Sequence, residues 1–516
     1  MITRLLRREY FPFVLLFIML SIFVVKLGLY LDDTSYIFPS LVGNYTTHFA
    51  NYIRDNGLNR PLALIYYYFI FTYYRFLPQI AHLIPLAIHV VTGVIIYKIL
   101  KRYLSSTSAL FTALLVTAIP FWAEAFSWFA ASVGLVVRLI FYLQVYLIVN
   151  ENDKKIIFPT VFVLQALASY LYETTILMPI TLSFLLVVRF NQYFPFRHFV
   201  ASYSKKLLIL SLPGIVYVGL KILIPHSVGS EFSLSNTTKI FENISGYALP
   251  MYELVWSKGP KLFWYEGMQK GYQLLISSPI GFVTLFALLI YLLQRTIGMR
   301  EPNGTDKKSF RIILPFWLTS FLLSLVPLVW KQDYLAFRTL ALPLELGCIT
   351  IAFLFYFVYQ RWETGKNIRE ALIFFASLPI LAGLLLQVSI VANITQQYRD
   401  DRQLAEQIDE SNRNLGFTAS YRTNVLVANI PSNTVSSFLY GDYIFSMFYS
   451  NWTAAGFIDL HSGTVAQIGI AGTDRLLSAQ ITQDEFMQLR PLTIYEFTSK
   501  ENCQNGDCIA LKEVLF

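Results

Sequence analysis

Two adjacent carboxylates, Asp32 and Asp33, end the first long apolar run of the chain, which begins at Phe11. About 20 apolar residues are enough for a helix to cross a bilayer, so the pair is predicted to lie at a membrane surface. Ionisable side chains are costly to hold near hydrocarbon and mark a candidate functional site. One carboxylate could accept a proton from a nucleophile. The second could hold a metal, orient an acceptor or raise the pKa of its neighbour.

Further ionisable residues are predicted at the same side of the membrane. His82 and His89 are seven positions apart and therefore share one helix face. The other candidates follow or precede apolar runs: Arg60, Glu124, Glu173, Lys331, Asp333 and Arg338. Because arginine binds phosphate through paired donors, a carboxylate base with such an arginine favours group transfer from a lipid-linked phosphate donor. The alternative for each single residue is a helix end that faces lipid headgroups.

Arg138 differs from these residues because it lies inside an apolar run. A charge at that depth needs a partner or a function. The sequence leaves three alternatives open: pairing with Glu124, pairing with Glu173, or binding a lipid phosphate.

Composition indicates a polytopic membrane protein. The 516 residues are 55% hydrophobic and 14% charged, against about 25% charged in soluble proteins. We predict about eleven membrane-spanning helices, near residues 11–31, 81–100, 106–122, 131–150, 156–170, 173–189, 207–225, 275–294, 311–330, 339–360 and 371–394.

The net charge of +8 supports one orientation of these spans. With the N-terminus in the cytoplasm, every inner loop contains lysine or arginine, as the positive-inside rule requires. The basic residues therefore serve as orientation signals in short loops. The positive net charge does not indicate nucleic-acid binding.

Three segments are predicted on the outer side. The first outer loop, 32–80, contains a tyrosine-rich surface helix over Arg60–Phe76 and a second helix near 35–56. The large outer loop, 225–274, is rich in aromatic residues that suit either stacking on sugar rings or anchoring at the interface. The tail, 395–516, has a charged helical stretch followed by strand-like segments. Cys503 and Cys508 in the tail could form a disulfide.

The predicted fold class is thus an all-α polytopic membrane domain, 1–394, with surface helices in its first outer loop. A small extracytoplasmic α/β domain, 395–516, follows it.

Six motifs, in this order, resemble the GT-C superfamily of integral membrane glycosyltransferases, particularly protein O-mannosyltransferases and their bacterial relatives. The motifs are the acidic pair Asp32–Asp33, the Arg-Pro of Asn59–Leu62, the histidines His82 and His89, Pro120 with Glu124–Ala125, Tyr172–Thr174, and Arg338 with Pro343. The resemblance covers about the first 190 residues and about 310–360. It departs from the family pattern at Tyr172, where lysine is common, and at 130–132, where a basic residue is common.

The resemblance implies a sugar donor linked to polyprenyl phosphate and transfer with inversion. Asp32 or Asp33 would be the catalytic base, Arg338 would hold the donor phosphate, and Glu124 and Glu173 would order the site or bind a metal. The implied substrate-binding set is Arg60, His82, His89, Glu124, Arg138, Glu173 and Arg338. A divalent cation stays open as a cofactor, and the acceptor could be a protein, a lipid or a glycan. The family favours a bacterial inner membrane.

Three other functions remain as alternatives. A transporter or flippase of lipid-linked glycans predicts charges near the bilayer midplane and matching broken helices. A polysaccharide polymerase or ligase predicts arginines in the large outer loop, where this chain has lysines and no arginine. A non-catalytic assembly protein would keep the scaffold without the chemistry.

Overall fold

The computed structural model describes residues 9–28, 60–151, 153–190, 196–223, 252, 256–257, 260–297, 307–331, 337–361, 366–428, 454, 457, 462–471, 491–497 and 509–515. The predictions for Asp32, Asp33, the helix near 35–56 and the Cys503–Cys508 pair lie outside these residues. For Glu173 and Arg338 the backbone is described and the side chain is not.

Helices make up most of the described chain. They are α1 Phe11–Val24, α2 Pro61–Phe76, α3 Leu83–Leu100, α4 Ser106–Thr117, α5 Trp122–Ser127, α6 Phe129–Asn150, α7 Lys154–Leu171, α8 Met178–Phe190, α9 Phe196–Leu223, α10 Glu266–Ser277, α11 Pro279–Ile297, α12 Lys307–Lys331, α13 Phe337–Arg361 and α14 Lys366–Asn414. Single turns precede three of them, at Pro78–Ala81, Glu173–Leu177 and Pro260–Tyr265.

Each predicted span corresponds to one of these helices. Within the described residues, four helices are long and apolar enough to cross a bilayer: Leu83–Leu100, Phe129–Asn150, Arg197–Leu220 and Ser377–Asn414. A bent pair, Phe263–Ser277 with Pro279–Gln294, would make a fifth span. The other predicted spans are apolar helices of 10–17 residues by the same measure. The chain is therefore an α-helical integral membrane protein, and its exact number of crossings stays a prediction.

The end of the large outer loop differs from the prediction. Residues 266–274 were expected in the loop, yet they belong to α10, which meets α11 at an angle of 111°. Ser278, between the two helices, has an extended backbone with ψ 116°. The bend follows from Pro279, because proline disfavours a helical conformation at the residue before it.

The predicted surface helix is present as α2. Pro61 occupies its first turn, where the missing N–H costs no hydrogen bond. Two tyrosines fix α2 to the beginning of α6: the Tyr67 hydroxyl donates to the Ala130 carbonyl at 2.7 Å, and the Tyr66 and Ser132 hydroxyls are 2.8 Å apart. The position of α2 relative to the bilayer stays a prediction.

The longest helix, α14, joins the membrane part to the C-terminal sheet. Its 49 residues span about 70 Å at 1.5 Å per residue. The predicted boundary at 394/395 falls inside this helix, so the membrane span and the charged stretch after it belong to one helix.

A four-stranded sheet follows α14, as the strand-like segments predicted. Its strands are β1 Thr423–Ala428, β2 Val465–Ala471, β3 Leu492–Phe497 and β4 Ile509–Leu515, in the order β2-β1-β3-β4. β1 pairs in parallel with β2 and β3, and β4 is antiparallel to β3. The extracytoplasmic location of this α/β segment is a prediction.

Asp409 fastens the end of α14 to this sheet, well beyond the predicted span that ends at 394. One of its carboxylate oxygens accepts hydrogen bonds from the Ser462 hydroxyl at 2.6 Å and the Thr464 N–H at 3.1 Å. The other oxygen is 2.6 Å from Arg413.

Candidate functional site

The predicted outer ends of several helices meet around His82. The His82 ring is fully buried, stacks on Phe129 with ring centroids 4.1 Å apart, and lies beside the backbone of Gly28. A Cβ at Gly28 would overlap the ring of Tyr398 in α14. Gly28, which follows α1 and lies four residues before Asp32, is therefore next to the beginnings of α3 and α6 and to α14.

Arg60 brings two of the sequence motifs into contact. Its guanidinium carbon lies 4.2 Å from the centroid of the Tyr172 ring, in a cation–π arrangement. Its backbone N–H donates to the Tyr217 hydroxyl at 3.2 Å. Arg60 has φ +51°, a left-handed conformation that is uncommon for residues other than glycine. Strain of this kind persists only where the surroundings impose it, and it is frequent at functional sites.

The other helix-end candidates have the following positions. Lys331 is the last residue of α12, and Asp333 lies outside the described residues. Glu124 lies in α5 and is 6% exposed. Glu173 begins the short helical turn Glu173–Leu177, directly after Tyr172. Arg338 is the second residue of α13.

A buried ion pair lies close to these residues. The sequence motifs include one of its members, Arg138, and do not include the other, Glu345. Arg138 of α6 pairs with Glu345 of α13: Nη2 is 2.7 Å from Oε2, and Nε donates to Oε1 at 3.1 Å. The two side chains are 1% and 0% exposed. The expected partners of Arg138, namely Glu124, Glu173 or a lipid phosphate, are thus corrected to Glu345. The physical reason is geometric, because Glu345 offers both carboxylate oxygens to the planar guanidinium.

His89 extends this pair towards α4. Its Nδ1 is 2.9 Å from Arg138 Nη1, and its Nε2 is 2.9 Å from the Thr117 carbonyl oxygen. Because arginine only donates and a carbonyl only accepts, Nδ1 is the acceptor and Nε2–H is the donor. His89 is therefore the neutral Nε2–H tautomer in this arrangement.

Trp122 ties α5 into the same cluster. Its indole N–H donates to Glu345 Oε2 at 3.0 Å, and its ring lies 4.5 Å from the Arg138 guanidinium carbon. We refer to His89, Trp122, Arg138 and Glu345 as the buried network. It connects four helices, α3, α5, α6 and α13.

Both histidines contact aromatic rings where α5 is followed by α6. His82 stacks on Phe129, and His89 lies 5.4 Å from the Phe126 ring centroid. The substrate-binding roles assigned to them from the sequence stay predictions.

Among the described residues, no group of three or more His, Cys, Asp and Glu side chains could hold a metal ion. Asp32 and Asp33 are outside that set, so the divalent cation stays an open prediction.

Comparison with models of known protein families gives no match, and comparison with curated protein sequences gives none either. Among solved structures, the crystal structure of ArnT from Cupriavidus metallidurans in the apo state is similar with a TM-score of 0.41 and 12% identity, covering 94% of this chain and 92% of that chain. ArnT from the same organism bound to undecaprenyl phosphate gives a TM-score of 0.38 and 13% identity, covering 94% and 93%. Both TM-scores lie below 0.5, so the function of this chain has to be argued from its own residues.

Proposed function

We propose that this chain is a membrane glycosyltransferase of the GT-C type. It would move a sugar from a polyprenyl-phosphate donor to an acceptor on the outer face. The observation that carries the proposal is the contact between separate motifs: Arg60 of the Arg-Pro motif lies over Tyr172 of the Tyr-Glu-Thr motif. The resemblance assigns Arg60 and Glu173, the residue after Tyr172, to one substrate site, and a set of unrelated helix-end charges would not require the two motifs to meet.

In the proposed reaction, Asp32 or Asp33 takes the proton from the acceptor hydroxyl. The acceptor oxygen then bonds to the anomeric carbon while the bond from that carbon to the phosphate oxygen breaks. Polyprenyl phosphate leaves, and the anomeric centre is inverted. Arg338 would bind the phosphate as its charge develops, because a paired guanidinium stabilises the leaving group.

The remaining residues are proposed to support this chemistry. Arg60 and His82 would line the substrate site, since both lie where the outer ends of the helices meet. Glu124 and Glu173 would order the site or hold a divalent cation. His89 and Arg138 belong to the buried network. Because Arg138 is paired with Glu345, we propose that it supports the site without binding the substrate.

The first experiment tests transfer directly. Purified protein is mixed with undecaprenyl-phosphate donors that carry different radiolabelled hexoses, together with membranes as the source of acceptor. We expect wild-type protein to transfer label from one donor. Asp32→Asn or Asp33→Asn should reduce transfer at least a hundredfold, the scale of lost general-base catalysis.

Asp153→Asn is the matched control, because Asp153 caps α7 at the predicted inner side. It should leave transfer unchanged. Wild-type turnover in both outer variants would refute the proposal. Movement of intact labelled lipid between leaflets, without cleavage of the sugar–phosphate bond, would instead favour a flippase.

A further inference from the structure

We propose that Glu345 and Arg138 are positioning residues that hold α13 and α5 in register. This inference rests on the proposed function, because it assigns the ion pair a task in that reaction. α13 carries Arg338, two helical turns before Glu345, and α5 carries Glu124 two residues after Trp122. Because Glu345 binds both Arg138 and the Trp122 N–H, it connects the two segments on which the proposed donor site depends.

α5 needs such an anchor because it is too short to be stable alone. It has six residues, and isolated helices shorter than about 12–15 residues are marginal in water. Trp122, its first residue, is held by its hydrogen bond to Glu345 and by the Arg138 guanidinium at its ring. The orientation of α5 is thus set by the buried network.

The turn before α5 is fixed from two further helices. The Thr117 carbonyl at the end of α4 accepts hydrogen bonds from His89 of α3 and Gln387 of α14, both at 2.9 Å. The Gln387 amide also donates to the Ile119 carbonyl at 2.9 Å. The Glu124 segment is therefore tied on one side to α3 and α14 and on the other to α13.

α13 needs an anchor for a different reason. Pro343 lies inside this helix, between Arg338 and Glu345. Proline removes one backbone hydrogen bond and tends to bend a helix at the preceding turn. The turn that carries Arg338 is therefore less constrained by its own backbone. Glu345, two residues beyond the proline, fixes the part of α13 that follows that turn.

Stability alone does not require this pair. Well-packed apolar residues in place of a buried ion pair are often neutral or stabilising, whereas removal of one partner leaves an uncompensated charge. The double variant Arg138→Met with Glu345→Leu therefore removes the directional contacts without stranding a charge, and it leaves two neutral groups, the Trp122 N–H and His89 Nδ1, without these partners. This variant distinguishes the two roles, because loss of a positioning role lowers sugar transfer in a protein that still folds.

The chain offers a matched control residue on α6, the helix that carries Arg138. Gln144 donates to Gln165 of α7 at 3.4 Å, and both side chains are fully buried. The variant Gln144→Leu removes a buried polar contact of comparable depth and keeps Gln165, whose amide donates to the Thr175 carbonyl in the turn that begins at Glu173. It leaves the contacts among His89, Trp122, Arg138 and Glu345 unchanged.

The experiment measures thermal unfolding in detergent and steady-state sugar transfer for the Arg138/Glu345 variant and the Gln144→Leu control. We expect the Arg138/Glu345 variant to stay folded with a modestly lowered unfolding temperature, because two buried polar groups lose partners. Its kcat should fall about tenfold to a hundredfold, because small misplacements of reacting groups have effects of that size. KM for the donor should change less than threefold. The Gln144→Leu variant should keep kcat within twofold. Wild-type kcat in a folded Arg138/Glu345 variant would overturn the inference.

A distance measurement between α13 and α3 tests the positioning role without depending on sugar transfer. Spin labels at Leu344→Cys in α13 and Val91→Cys in α3, both exposed positions, are placed in protein whose native cysteines are replaced. Their distance distribution should broaden or shift in the Arg138/Glu345 variant and stay narrow in the control. An unchanged distribution contradicts the positioning role. Absence of transfer by the wild type, with a broadened distribution, contradicts only the glycosyltransferase.

Discussion

Arg60 combines a strained backbone with a positioned charge. A left-handed conformation costs a non-glycine residue of the order of 1–3 kcal/mol and persists only when its surroundings impose it. Here the Tyr217 hydroxyl accepts the Arg60 N–H, and the Tyr172 ring lies under the guanidinium. The Tyr172 ring therefore provides an aromatic platform for the Arg60 charge.

This arrangement predicts that stability and activity respond in opposite directions at residue 60. Arg60→Gly should leave the free energy of unfolding unchanged or raise it by about 0.5–1 kcal/mol, because glycine adopts positive φ readily. It should lower sugar transfer at least tenfold, because a hydrogen bond to a charged group is worth about 1.5–3 kcal/mol. Thermal unfolding and transfer rates measure the two effects.

Tyr172 provides the accompanying controls. Tyr172→Phe keeps the ring and should keep transfer within threefold, while Tyr172→Leu should lower it about threefold to tenfold. If Arg60→Gly destabilises the protein and leaves transfer intact, Arg60 has only a structural role.

The residues of the site were predictable to different degrees. Arg138 is recognisable as a charge inside an apolar run, but the sequence predicts its partner among acids at helix ends. Glu345 also lies inside an apolar run, in ALPLELGC. One buried base and one buried acid in separate spans would have indicated the pair, because each needs compensation. The motif resemblance directed attention to the helix ends instead, and sequence spacing carries no information on which spans are neighbours.

At the level of elements, close backbone contact joins α14 to the end of α4. A Cβ at Gly383 would overlap the Ala118 carbonyl oxygen, and Gln387, one turn further along α14, donates to the Thr117 and Ile119 carbonyls. Small residues let helices approach closely in membrane proteins. Here the approach brings Gln387 to the backbone of the turn before α5.

Gly383→Ala should therefore destabilise the protein by about 1–3 kcal/mol, because a backbone carbonyl cannot move aside as a flexible side chain can. Thermal unfolding in detergent measures this. Gly134→Ala in α6 is the matched control: no described atom lies within 4 Å of its added Cβ. That substitution should be neutral or stabilising by up to about 1 kcal/mol. Equal effects of the two changes would contradict the close approach.

The membrane helices could be predicted from the sequence because lipid requires long apolar runs. Apolar runs became helices because a backbone in hydrocarbon must satisfy its hydrogen bonds internally. The sequence does not predict α10, because its residues, EGMQKGYQLLIS, are only partly apolar. Its place is set by tertiary contacts: a Cβ at Gly271 would overlap the Leu385 carbonyl oxygen, and Lys270 donates to the Asn393 side-chain oxygen. Contacts of that kind leave no periodic signal.

At the level of the whole molecule, the contacts at the two ends agree with the sidedness that the charges predict. Glu9, before α1, pairs with Lys101, after α3, at 2.5 Å. Gly28, after α1, lies beside His82, before α3. The two helices therefore run antiparallel, and basic residues gather at the first end while the proposed site residues gather at the other. The orientation of this axis in the cell is a prediction.

Cysteine accessibility tests that orientation. In protein whose native cysteines are replaced, Tyr421→Cys reports on the C-terminal segment and Arg102→Cys on the loop after α3; both positions are exposed. A membrane-impermeant maleimide should label residue 421 in intact cells and residue 102 only after permeabilisation. The reason is that basic loops are retained in the cytoplasm during insertion. The opposite pattern would place Arg60 and His82 on the cytoplasmic side. The acceptor would then have to be cytoplasmic, and an extracytoplasmic transfer reaction would be excluded.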